Sequence, residues 1–255
     1  MRQGAEQPRK GRDRMKIYVV GIGPGDRADM TPRAVDALSE AEVIVGYGTY
    51  IELIKDIIDG KEIISSTMTR ETERCRTALE CALAGRCAAV VSSGDAGVYG
   101  MASLVYEICA GHPEVEIEVI PGITAACSGA AVAGAPIGHD FAVISLSDRL
   151  TSWEVIEKRL RLAAEADFVI CLYNPSSKKR SGYLKRACEC IAEYKSAETQ
   201  CACAVNIGRN GERYEIYTLD ELKDAHTDMF TTVFIGNSET RVINGRLVTP
   251  RGYRI

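Results

Sequence analysis

The chain has 255 residues, 46% of them hydrophobic and 26% charged, enough to bury a core in one large domain or two modest ones. A formal net charge of -4 provides no whole-surface field that would draw in nucleic acid or an anionic membrane. An anionic ligand must therefore meet a local basic patch.

Residues 1–14 are polar and rich in Arg, Gly and Gln, without the apolar run of a signal peptide or membrane span, and are expected to form a disordered leader. Met15 stands directly before the first strand and marks an expected functional start. From there, short Val/Ile-rich runs alternate with amphipathic stretches, which predicts an α/β fold with a mainly parallel sheet covered on both faces. Strands are expected near 16–22, 42–46, 61–65, 87–92 and 116–120, with helices near 32–41, 49–58, 71–85 and 101–111. Thr31-Pro32 supplies a helix start, threonine as cap and proline in the first turn.

Ile120-Pro121-Gly122 closes the fifth strand and places an expected boundary between an N-terminal α/β domain, 15–121, and a C-terminal α/β domain, 122–255. The second domain opens on a small-residue helix over 124–134. Strand 140–146, helix 152–165, strand 167–173 and helix 182–194 follow, then strands near 201–207, 213–218, 231–236 and 241–248. Short turns such as Asn210-Gly211 and Asn244-Gly245 add antiparallel pairs there. No internal repeat is visible.

The ten cysteines contain no CxxC. Cys188/Cys190 and Cys201/Cys203 are CxC pairs, a spacing that puts both thiols on one face of a strand, either as ligands or as small buried residues. With three histidines in the chain and none beside either pair, packing is the expected role and no metal site is expected. Cys87, Cys109, Cys127 and Cys171 sit in apolar or helical stretches, the pattern of reduced thiols in a cytoplasmic protein.

The first strand ends in Gly21-Ile22-Gly23-Pro24-Gly25-Asp26, where α/β proteins often hold a nucleotide. A dinucleotide fingerprint would need glycine at 26. Asp26 stands there and would repel phosphate, and Pro24 removes an amide that would face it. No GxxxxGK[ST] occurs. A tight turn that needs glycine for steric reasons explains this segment as well as a binding role does. Two further turns, Ser92-Ser93-Gly94-Asp95-Ala96-Gly97-Val98-Tyr99-Gly100 and Pro121-Gly122-Ile123-Thr124-Ala125-Ala126, also follow strands. Three such turns at carboxyl ends can converge on one ligand.

In this order and separation, GIGPGD, GDAGVYG and PGITAA resemble the tetrapyrrole methylases. The resemblance covers nearly everything after Met15. The blocks at 138–148, Tyr173-Asn174-Pro175-Ser176-Ser177-Lys178-Lys179-Arg180 and 231–237 are similar to the branch that methylates a precorrin at C17 and contracts the ring in cobalamin biosynthesis. The resemblance implies a homodimer of two-domain chains with S-adenosylmethionine in a cleft between the domains, S-adenosylhomocysteine as product, and a small-molecule tetrapyrrole substrate. Neither nucleic acid nor membrane is an expected partner. By motif position, Pro24, Ser93, Gly94, Asp95, Val98, Tyr99, Thr124, Ala125, Asn174, Gly208 and Thr232 are the implied donor-site residues.

Methyl transfer from a sulfonium to a ring carbon expels a neutral thioether, so positioning dominates, with alignment worth about 7 to 11 kcal/mol of barrier. Asp95 is the side chain expected to hold the donor, its alternative role being a cap on the following helix. Ring contraction moves protons, for which His139 and Tyr47 are the candidates, although a lone histidine more often serves structure. Gly46-Tyr47-Gly48 stands where the uroporphyrinogen-methylating relatives carry a carboxylate. Lys178, Lys179 and Arg180 form a basic run that is either a solvated face or the receptor for substrate carboxylates. Arg149 receives no role. The alternatives are a methylase acting on another precorrin carbon or on a diphthine precursor, a non-catalytic nucleotide-binding regulator, and a metal or redox site at the CxC pairs.

Overall fold

The computed structural model describes residues 15–177 and 181–254. They divide between Thr124 and Ala125 into two units. The expected leader at 1–14 and the basic run at 178–180 lie outside the described residues.

The first unit is a five-stranded sheet ordered β3-β2-β4-β1-β5, formed by β1 (Lys16–Gly21), β2 (Val43–Tyr47), β3 (Glu62–Ser66), β4 (Ala88–Ser92) and β5 (Glu116–Ile120). Every pairing is parallel. Helices α1 (Pro32–Glu40), α2 (Gly48–Glu52), α3 (Glu71–Leu83) and α4 (Ala102–Cys109) supply the crossovers. Because the strands are buried on both sides, β1 alternates its side chains between two cores. Ile17 and Val19 pack with Cys75, Ala78 and Val105 of α3 and α4. Tyr18 and Val20 pack with Ala34 and Leu38 of α1. Thr31 caps α1 as expected, its Oγ1 accepting the Ala34 amide at 3.1 Å with Pro32 in the first turn.

The helix expected over 49–58 is shorter. After α2 the chain continues in turns, with Leu53, Ile54 and Ile57 each donating to the carbonyl three residues back. Tight turns of this kind still bury Ile54 and Ile58, which are each 1% exposed, so packing is kept while the α-helical ladder is lost.

The second unit begins with α5 (Ala125–Ala133), followed by a two-residue strand β6 (Gly134–Ala135). Its main sheet, ordered β10-β9-β11-β8-β7, contains β7 (Phe141–Ser145), β8 (Val169–Tyr173), β9 (Gln200–Val205), β10 (Arg213–Thr218) and β11 (Thr231–Ile235). Only β7 and β8 pair in parallel; β11 runs against both β8 and β9, and β10 runs against β9. Helices α6 (Trp153–Glu165), α7 (Tyr183–Ile191) and α8 (Leu219–Leu222) cover one face. On the other, Ala126 and Ala130 of α5 pack with Phe234 and Leu247.

The strand expected over 241–248 is a hairpin, β12 (Arg241–Ile243) and β13 (Arg246–Val248). Asn244 and Gly245 both take positive φ, 50° and 76°, the geometry a two-residue hairpin turn demands. β13 then pairs in parallel with β6, making a small third sheet that the sequence pattern did not signal. Two residues are too short a strand to show any periodicity.

Candidate functional site

In a parallel sheet all carboxyl ends emerge on one edge, and here the turns after β1, β4 and β5 meet there. Gly23 and Gly94, both at positive φ, exchange backbone hydrogen bonds of 3.1 and 2.7 Å. Gly21, Gly94 and Gly122 approach backbone to backbone. A Cβ at Gly122 would lie 2.1 Å from the Gly94 carbonyl oxygen, and one at Gly21 would lie 2.7 Å from the Gly122 amide nitrogen. The glycines therefore permit contact between turns, a role that their positions within each turn do not reveal.

Asp95 joins this arrangement through its side chain. One carboxylate oxygen accepts the Gly97 amide at 2.8 Å and the other accepts the Gly122 amide at 3.0 Å. It does not cap the following helix, since α4 begins after Met101 with no side-chain cap and Met101 donates instead to Ser92 Oγ at 3.3 Å. The helix-cap reading is thus corrected to a clip between the second and third turns. Pro24 and Gly94 are buried and Ser93 and Thr124 half-buried, whereas Val98 and Tyr99 are exposed at the same loop, Tyr99 with φ 52°.

Tyr47 ends β2 on the same edge of the sheet. Its ring meets Tyr50 edge to face at 5.2 Å, and it lines a cavity of about 500 Å³ with Thr49, Ser66, Arg70, Glu73 and Arg74. Sequence reasoning assigned no role to the two arginines. They are four residues apart across the start of α3, a spacing that puts both on one helix face.

The second unit gathers its candidates at one sheet edge as well. Asn174 follows β8 and Gly208 lies beyond the end of β9, while Thr232 is the second residue of the antiparallel β11, opposite Ala204, so all three lie toward the same edge. Asn174 takes φ 54° and donates from Nδ2 to Ser145 Oγ at 3.0 Å. Gly208 donates to Glu212 Oε2 at 2.7 Å, and Thr232 is buried. Ala125 opens α5, where the next amide, Ala126, donates to the Tyr173 hydroxyl at 2.6 Å. Tyr173 was passed over although it adjoins Asn174; an aromatic hydroxyl at a strand end was the available signal. His139 stands exposed before β7, its Nδ1 accepting the Asp140 amide at 2.9 Å.

All ten cysteines are free thiols. Cys201 and Cys203 project from β9 into one core and meet Cys188 of α7 there. Cys188 and Cys190 are on a helix, where a two-residue spacing separates directions, so the one-face geometry applies only to the second pair. Burial pushes the Cys188 and Cys203 thiols up to about 12 and raises Cys201 in the same direction. This disfavours the thiolate that metal binding or disulfide exchange requires.

The sequence from 16 to 223 matches the family model of the tetrapyrrole (corrin/porphyrin) methylases, and the chain belongs to that family of methyltransferases. It is 48% identical over 94% of its length to a probable cobalt-factor III C(17)-methyltransferase of Salmonella typhimurium, covering all of that protein. It is 41% identical over 93% of its length to a precorrin-3B C(17)-methyltransferase of a Sinorhizobium species, covering 96% of it. The crystal structure of the methyltransferase CobJ superposes with a TM-score of 0.86 at 40% identity, over 92% of this chain and 99% of that one. At 20% identity and a TM-score of 0.69, uroporphyrin-III C-methyltransferase of Thermus thermophilus, solved with S-adenosylhomocysteine, shares the fold over 87% of this chain and 97% of its own. These relatives favour an enzyme over a nucleotide-binding regulator. Among the described residues no helix is long and apolar enough to cross a membrane.

Proposed function

We propose that this chain transfers the methyl group of S-adenosylmethionine to C17 of cobalt-factor III, with ring contraction, in cobalamin biosynthesis. The convergence of the Gly21, Gly94 and Gly122 turns carries this reading together with the relatives' names. The three turns, 21–26, 92–101 and 120–125, contain Asp26 and Asp95 but no lysine or arginine. That charge balance fits a sulfonium and an α-ammonium better than a pyrophosphate.

Bound there, S-adenosylmethionine supplies an electrophilic methyl group. The chain's part is alignment and exclusion of water. Gly94, Gly122 and their neighbours bring main-chain groups close, Ser93 and Thr124 offer hydroxyls, and the exposed Val98 and Tyr99 offer apolar surface for a nucleoside. Asp95 acts as a positioning residue that fixes the third turn against the second. Asn174, Gly208, Thr232 and Ala125 are the second unit's proposed donor contacts. Lys178, Lys179 and Arg180 are proposed to receive substrate carboxylates, and Tyr47 and His139 to move protons during contraction. The Asp140 amide donates to His139 Nδ1 at 2.9 Å, which leaves Nε2 as the ring nitrogen turned to that role.

The greater likeness to the cobalt-factor III enzyme than to the precorrin-3B enzyme, 48% against 41% identity, supports a cobalt-bearing substrate. Free thiols throughout support a reducing, cytoplasmic location. A homodimer follows from the resemblance, and gel filtration with light scattering tests it. The deciding experiment follows methyl transfer from labelled donor to cobalt-factor III and to metal-free precorrin-3B, with calorimetry of S-adenosylhomocysteine and NAD alongside. We expect a C17-methylated cobalt product and binding of the former ligand only. Tight NAD binding, or methylation at another carbon, refutes the assignment.

A further inference from the structure

The cavity beside Tyr47 is distinct from the glycine turns. It lies at the carboxyl ends of β2 and β3, whereas the turns follow β1, β4 and β5. Its lining combines the half-buried Ile64 with polar and cationic groups. Among the lining residues are two guanidinium groups, Arg70 and Arg74, against one carboxylate, Glu73.

Arg74 is almost fully buried, its side chain 7% exposed. It donates to Ser66 Oγ at 2.9 Å and to the Thr67 carbonyl at 3.0 Å, which pins the loop leaving β3. Its carboxylate neighbour, Glu71, stands off at 3.5 Å, beyond a tight charge-assisted bond. Arg70 is the exposed member of the pair. Its side chain is 57% exposed and rests on Glu73, one helical turn away. A hydrogen-bonded, desolvated cation behind an exposed one, beside the half-buried Ile64, suits a short aliphatic chain ending in a carboxylate.

Resting on the reading that the substrate is a tetrapyrrole polycarboxylate, we propose that this cavity receives one acetate or propionate arm of the macrocycle, with Arg70 as its direct partner. Its volume of about 500 Å³ accommodates an arm with adjoining ring edge. Glu73 competes with the arm for Arg70, and Arg74 holds the wall in place. The arm's seat orients the ring without touching the reacting carbon, so its loss weakens substrate binding and leaves the chemical step alone.

The test uses the full chain and compares wild type with R70Q, R70K and E73Q. For R70Q we expect the KM for cobalt-factor III to rise about tenfold, with kcat and S-adenosylhomocysteine affinity within twofold. R70K should recover most of the loss, and E73Q should lower KM severalfold by freeing Arg70. KM within twofold of wild type in both R70Q and E73Q overturns the proposal, as does a fall in kcat alone. Should R70Q not fold, E73Q decides. Should the wild type transfer no methyl group, uroporphyrin, a stable tetrapyrrole polycarboxylate, separates the two claims by titration. Weaker uroporphyrin binding by R70Q than by wild type then supports the carboxylate seat though the methylation reading has failed; equal or absent binding overturns both.

Discussion

In the first unit every strand runs the same way, so the ends of β1, β4 and β5 reach one edge and their turns touch main chain to main chain. In the second, β11 and β10 run against β7, β8 and β9, so the corresponding edge mixes strand starts and ends. Side chains make several of the links there: Asn174 to Ser145, and Tyr173 to the start of α5. The contrast is between a site edge made by the absence of side chains and one made with them. A methyl group added to the first should be ruinous, whereas one side chain shortened in the second should cost a single hydrogen bond.

The most severe test is Gly122→Ala. With its Cβ forced to within 2.1 Å of the Gly94 oxygen, backbone must move, and we expect a loss of at least about 3 kcal/mol in stability and no measurable S-adenosylhomocysteine binding. Calorimetry and thermal melting check both. Gly48→Ala is the matched control: nothing lies within 4 Å of its Cβ, and stability should change by less than about 0.5 kcal/mol. A tolerated Gly122→Ala would remove the basis of the comparison.

Next in size is Asp95→Ala, which deprives the Gly97 and Gly122 amides of their acceptor and should cost about 1 to 3 kcal/mol. Because the clip spans two turns, S-adenosylhomocysteine affinity should fall about tenfold, while Asp95→Asn retains part of it. Unchanged affinity in Asp95→Ala would show that the turns hold themselves. Neutralising Lys178 and Arg180 together should raise substrate KM more than it lowers kcat, as uniform binding loss requires; a fall in kcat at constant KM would reject that assignment.

Smaller again is Asn174→Ala, expected to destabilise by about 1 kcal/mol through the lost bond to Ser145 and a left-handed backbone that alanine tolerates poorly. The smallest effect at neutral pH concerns the thiols of the second core. With Cys188 and Cys203 pushed up to about 12, only about one molecule in ten thousand carries either thiolate at pH 8. Exposed Cys127 should therefore be alkylated first, as peptide mass spectrometry will show. Above pH 9 the unfolded chain releases these protons and the folded one retains them, so stability must fall as pH rises toward 12. A melting temperature flat from pH 8 to 11 would contradict this.

The order of elements and the class of fold were legible in the sequence, because strand burial and helix amphipathicity are periodic and local. The Thr31-Pro32 cap, the alternating β1 side chains and the Asn244-Gly245 turn are set by short-range sterics and hydrogen bonding. The glycine motifs announced three turns. What each glycine does was decided elsewhere: Gly122 must lack a side chain because Gly94, 28 positions earlier in the chain, occupies its space. Asp95 likewise looked like a ligand or a helix cap until Gly122 appeared 3.0 Å from its carboxylate. Such pairings depend on parallel crossovers that bring distant strand ends together, and no local pattern records them. The same holds for the β6–β13 pair, for the tight turns after α2, and for the cavity that makes Arg70 and Arg74 neighbours of Tyr47.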